Sequence, residues 1–216
     1  MTDGPIAGGT LLVLHGFNSA GTTEKAAVLR DAFPQLDVVS PSYSHDPAAA
    51  GSKIQRAARS ALARDARLAV LGTSLGAFYA RWIAATLGVP AILINPALDP
   101  ASTLKRALGW NTNFKTGHRY RLEPVHLDRL QSFYLPESAP TGPTLVLLDM
   151  DDELLDSERT KAFFSNRAAT RIVSYPNGEH RFAHLHEAIP EIRTHLWEEW
   201  NRCLVQGALA RTTRLP

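Results

Sequence analysis

A chain of 216 residues is long enough for a single domain, 1–216, that buries roughly 70% of the surface its unfolded chain would expose. Its 23 Lys and Arg balance 21 Asp and Glu, which gives no expectation of a nucleic-acid or membrane partner, and apolar runs such as "LLVL" and "LVLL" fall far short of the ~20 residues a bilayer span needs. The single Cys203 excludes an internal disulfide and "MTDGPIAGG" lacks the basic start and apolar run of a signal peptide, so a cytoplasmic protein is expected.

In chain order, "TLLVLH" (10–15) reads as a first buried strand and "LDVVS" (36–40) as a second. "LAVLG" (68–72), "AILIN" (91–95), "TLVLLD" (144–149) and "RIVSY" (171–175) follow. Continuous apolar runs without alternation suit strands covered on both faces. Helical stripes lie between them. Val28, Leu29, Ala32 and Phe33 make one, and Ile54, Ala58, Ala61 and Leu62 another, with Lys53, Arg56, Arg59 and Arg64 outside it. Phe78, Trp82 and Ala85 mark a third helix, stopped by Gly88-Val89-Pro90. A last helix is expected over about 185–204, broken or kinked near Pro190, with a frayed tail "ALARTTRLP". The alternation predicts a mostly parallel sheet of about six strands with helices on both faces. Residues 96–143 depart from it: Pro, Gly and Asn punctuate a stretch with scattered aromatics, the length and texture of a cap or pocket-forming excursion.

"LGTSLGAFYA" places Ser74 between Gly72 and Gly76 at G-x-S-x-G spacing, with a strand before and a helix after. A serine hydroxyl is a weak nucleophile and needs a base; the glycines supply only the sharp turn that projects it. The helix N-terminus offers the Leu75 N–H to a developing oxyanion. "LLVLHGFNSAG" supplies a second loop, in which Gly16 lets the chain turn and Phe17 offers a second N–H. His15 precedes the serine and reads as a brace of that loop. The acid and base are then required in the order Ser, Asp, His. "MDDELLDSE" follows one strand and "PNGEHRFAHLHE" the next. His180, after a Pro-Asn-Gly turn, sits where a catalytic imidazole belongs, whereas His184 and His186 fall in the following helical stretch as packed or solvated residues. Asp152 lies far enough past its strand to reach His180. Asp151 is a near alternative, Asp156 reads as a helix N-cap, Asp149 is too close to the strand, and Asp99 is a minor candidate. The histidines lack H-E-x-x-H spacing and the acids lie on another loop, so neither metal nor cofactor is expected.

These segments, with "LINPALDP" and "LGWNTNFKTGHRYRLEPVHLDRL", resemble the small bacterial YqiA/YcfP-type esterases of the α/β-hydrolase superfamily over about residues 11–196. The resemblance implies a minimal α/β-hydrolase fold without the opening antiparallel hairpin of larger members, since only nine residues precede the first strand. It implies Ser74 as nucleophile, Asp152 as acid, His180 as base, and Phe17 and Leu75 as oxyanion donors. The substrate would be a small acyl ester or thioester. A thioesterase or acyltransferase with the same triad, or a non-catalytic binding protein of this fold, are the alternatives. Departures are Asp151 where members commonly carry Gly, Thr73 in place of a second serine, and Asp99 where a basic residue is common. No exposed apolar stripe specifies an oligomer.

Overall fold

The computed structural model describes residues 8–139 and 142–212, with side chains described up to Arg202. Eight strands form among the described residues: β1 (Thr10–Leu14), β2 (Asp37–Val39), β3 (Leu68–Thr73), β4 (Ala91–Ile94), β5 (Gly109–Thr112), β6 (Arg119–Leu122), β7 (Thr144–Asp149) and β8 (Thr170–Tyr175). The six apolar runs make one sheet in the order β2-β1-β3-β4-β7-β8, every neighbouring pair parallel. The other two strands, β5 and β6, form an antiparallel hairpin inside the excursion.

Alternate residues of each central strand enter opposite cores. Leu12, Val70, Leu93 and Val146 pack beneath α2 (Pro47–Arg64) and α3 (Leu75–Leu87). Leu11, Leu71, Ile92 and Leu147 face α1 (Glu24–Ala32) and α7 (Leu185–Thr212). Both faces are therefore covered, which is why these strands carry no polar alternation. The remaining helices are α4 (Pro100–Thr103), α5 (Pro124–Leu130) and α6 (Ser157–Ser165). Capping follows the sequence: Thr23 accepts Ala26 N–H at 3.1 Å to start α1, Asp46 precedes Pro47 at the start of α2, and Gly88 ends α3 at φ +67°.

The last helix differs from expectation. It runs unbroken through Pro190 to Thr212, so its backbone includes most of the tail read as frayed. Residues 213–216 and the side chain of Cys203 lie outside the described residues.

Candidate active site

Ser74 joins β3 to α3 at φ +56° and ψ −119°. A non-glycine residue there carries strain on the order of 1–3 kcal/mol, so the surroundings must enforce it. They do so by close packing. A Cβ on Gly72 would lie 2.2 Å from Gly76 O, and one on Gly76 would lie 2.2 Å from Leu14 O and 2.6 Å from His15 O. Both glycines are thus required because backbone occupies the space of a side chain. Ser74 N–H donates to Ile94 O at 3.0 Å, and Ser74 O accepts from Ala77 and Phe78 at 3.0 and 3.2 Å.

The hydroxyl meets an imidazole. Ser74 Oγ lies 3.0 Å from His180 Nε2, and His180 Nδ1 lies 2.8 and 3.0 Å from the Asp152 carboxylate oxygens. Asp152 Oδ1 also accepts the N–H groups of Leu154 and Leu155, both at 2.8 Å. Because the carboxylate can only accept, Nδ1 carries the proton and Nε2 presents a lone pair to the serine hydroxyl. The Asp152 side chain is 1% exposed and that of His180 17%, so the acid is dry while the imidazole edge stays reachable. The other candidate acids do not meet His180. Asp156 caps α6 by accepting Arg159 N–H at 2.8 Å, Asp99 caps α4, and Asp151 is exposed.

The loop carrying His180 is held from beneath by residues that spacing did not single out. Asn95 directly follows β4, is buried, and donates to Glu179 O at 3.1 Å and His180 O at 3.3 Å while accepting Asp149 N–H at 2.9 Å. The fully buried Asp149 carboxylate accepts Glu179 N–H at 3.2 Å and Ala183 N–H at 2.7 Å, and it meets His184 Nδ1 at 2.6 Å. A Cβ on Gly178 would fall 2.0 Å from Asp149 Cγ, so the loop can settle onto the carboxylate only with glycine there. Glu153, two residues past the expected alternative Asp151, accepts His180 N–H at 2.9 Å, and this bond holds its carboxyl below the usual range. His184 is accordingly packed, and His186 is exposed. The readable trace of Asn95 is a lone amide closing an all-apolar strand.

Phe17 lies in the loop after β1, and Leu75 is the first residue of α3. That loop passes the serine closely: a Cβ on Gly16 would lie 3.4 Å from Thr73 O and 3.6 Å from Ser74 Cβ. His15 braces it, as read. Its ring stacks on Tyr43 at 3.8 Å, its Nδ1 donates to Gly16 O at 2.9 Å, and its Nε2 accepts Tyr43 N–H at 3.3 Å. The β5–β6 hairpin is bonded to the same loop. Asn113 Nδ2 donates to Ser19 O at 2.7 Å, Phe114 N–H to Asn18 O at 2.9 Å, and the Tyr120 hydroxyl to Asn18 Oδ1.

Burial drives the His15 imidazole from 6.5 down to about 4, and burial does the same to His195 in α7. Both rings are neutral in the folded protein but take up protons on unfolding below their ordinary value. Their contribution to stability is therefore full above pH 6.5 and is lost as pH drops toward about 4. Urea unfolding across that window reads the slope, and a flat profile would contradict it.

Residues 10–196 match the family model described as Uncharacterised protein family (UPF0227). Among solved structures, the chain is similar to Est1E from Butyrivibrio proteoclasticus, with a TM-score of 0.72 at 15% identity over 91% of this chain and 90% of that one. It is also similar to the mouse alpha/beta hydrolase domain-containing protein 10, with a TM-score of 0.65 at 20% identity over 85% and 87% of the two chains. A Paleococcus ferrophilus monoacylglycerol lipase gives a TM-score of 0.65 at 15% identity over 88% and 95%. The fold is that of the α/β hydrolases.

Proposed function

The chain belongs to the family UPF0227, and from that premise we propose that it is a serine esterase acting on small acyl esters or thioesters through Ser74, His180 and Asp152. One observation carries the reading: an unbroken hydrogen-bonded line from Ser74 Oγ through the imidazole to a buried carboxylate, starting on a backbone turn of φ +56°. The name of the monoacylglycerol lipase among its structural neighbours accords with that chemistry.

In this reading Ser74 Oγ attacks the acyl carbonyl while His180 Nε2 takes its proton. Asp152 fixes the tautomer and stabilises the imidazolium. The carbonyl oxygen, now charged, is received by the N–H groups of Leu75 and Phe17, each donor contributing about 3 kcal/mol. His180 returns the proton to the leaving alcohol or thiol, and an acyl-enzyme remains. Water, deprotonated by His180, then attacks the acyl carbon, releases the acid and restores Ser74. The excursion 96–143 serves as cap, its hairpin fixed to the loop that carries Phe17. The single cysteine fits the reducing cytoplasm. An acyltransferase would use the same steps with another acceptor in place of water.

A fluorophosphonate probe tests the covalent step directly. The expected result is one stoichiometric adduct, which peptide mass spectrometry places on Ser74. A chromogenic ester series of graded acyl length then sizes the pocket. No adduct, or an adduct on another residue, would overturn the assignment.

A further inference from the structure

Total charge is nearly balanced, but its distribution is not. No carboxylate occurs among residues 100–122, whereas Lys105, Arg106, Lys115, Arg119 and Arg121 all do, and all five are exposed. The same stretch carries the two most exposed large apolar side chains among the described residues, Trp110 at 69% and Phe114 at 81%. Strand periodicity sorts them. In the hairpin Trp110 pairs with Arg121 and Thr112 with Arg119, and these four residues face solvent while Tyr120 and Leu122 face the core. The Arg119 guanidinium lies over the Trp110 ring, 5.3 Å from its centroid. Phe114 and Lys115 lie in the turn between the strands.

We propose that the outward face and turn of the β5–β6 hairpin form a docking surface for an anionic phospholipid bilayer. Guanidinium and ammonium groups match lipid phosphates, and tryptophan and phenylalanine match the boundary between headgroups and acyl chains. Charge complementarity selects an anionic surface. The rings' exposure selects a lipid one: both stand out from a two-stranded ribbon and its turn, and a bilayer yields around a projecting ring where a folded partner needs a matching pocket. No helix among the described residues is long and apolar enough to cross a membrane, and the docking proposed here needs none. The hairpin's bonds to Asn18 and Ser19 tie this surface to the loop that passes Ser74, so docking brings the candidate site to the interface where acyl esters reside. That last consequence rests on the esterase reading, but the docking itself does not.

The test is flotation of the full chain with vesicles of phosphatidylcholine alone and of equimolar phosphatidylcholine and phosphatidylglycerol. Association is expected only with the anionic vesicles, weakening as salt shortens the Debye length. Trp110→Ala/Phe114→Ala and Arg119→Glu/Arg121→Glu should each lower the partition coefficient at least about tenfold without moving the thermal midpoint. Should the aromatic pair variant fail to fold, the charge-reversal variant decides. No association with anionic vesicles at low salt would overturn the proposal, as would association undiminished in both variants. Binding to an acidic acyl carrier protein but not to vesicles would overturn it too and give the surface a protein partner. Because binding is read without turnover, its failure and the failure of phosphonate labelling at Ser74 are separate results.

Discussion

Ser74→Ala is expected to lower kcat/KM for a chromogenic ester on the order of 10⁶-fold while leaving the unfolding midpoint near that of the parent. The alanine keeps the turn and the two glycines that enforce it. It removes only the hydroxyl, whose one side-chain partner among the described residues is His180 Nε2. Asp152→Asn is expected to cost about 10⁴-fold, for a reason specific to this loop. One carboxylate oxygen already accepts two backbone N–H groups, from Leu154 and Leu155. The asparagine carbonyl will stay with those donors, so its amide nitrogen faces His180 Nδ1. That forces the imidazole proton onto Nε2, where it points at Ser74 and cannot accept from it. Steady-state kinetics of the two variants check this. Parent-like rates in Ser74→Ala would mean that another residue is the nucleophile.

Asp149→Ala is expected to destabilise the protein by about 3–5 kcal/mol, the cost of breaking a buried ionic or hydrogen-bonded network by removing one partner. The carboxylate is fully buried and serves Glu179 N–H, Ala183 N–H and His184 Nδ1 together. Alanine would leave those groups facing a dry void. The same bonds seat the segment on either side of His180, so activity at temperatures where the variant remains folded should drop on the order of 10²-fold through a misplaced imidazole. Urea midpoints and kcat measured below the transition separate the two effects. A midpoint matching the parent would show that water or His184 replaces the carboxylate.

Much of the sheet was readable because its four central strands are covered on both sides. "TLLVLH" and "TLVLLD" announce burial by lacking polar alternation, and the structure places all six such runs side by side. The hairpin was not readable for the opposite reason. "GWNT" and "RYRL" have four residues each, only one face touches the core, and arginines occupy the other, so no apolar run marks them. At the candidate site, Ser74, Asp152 and His180 could be named because order and strand ends constrain them. Asp149 could not. Its closeness to the strand end argued against a role at His180, yet that position is what lets it sit under a loop about 30 residues further on. Its partners are mostly backbone N–H groups, which leave no side-chain signature. Asn95 escaped for a similar reason, since it acts through carbonyl and amide groups of Glu179, His180 and Asp149.

The hydrogen bonds that define the candidate site join residues far apart along the chain: 106 positions separate Ser74 from His180, 85 separate Asn95 from His180, and 35 separate Asp149 from His184. Each closes a long loop whose entropy must be lost before the contact stabilises anything. No contiguous fragment short of the span from β3 to the start of α7 holds the three side chains, and no local element preorganises them. The proposed reactivity is therefore a property of the finished topology. Partly folded chains, however rich in helix, lack the imidazole beside the serine, so the chemistry proposed for Ser74 would be absent from a nascent or misregistered sheet.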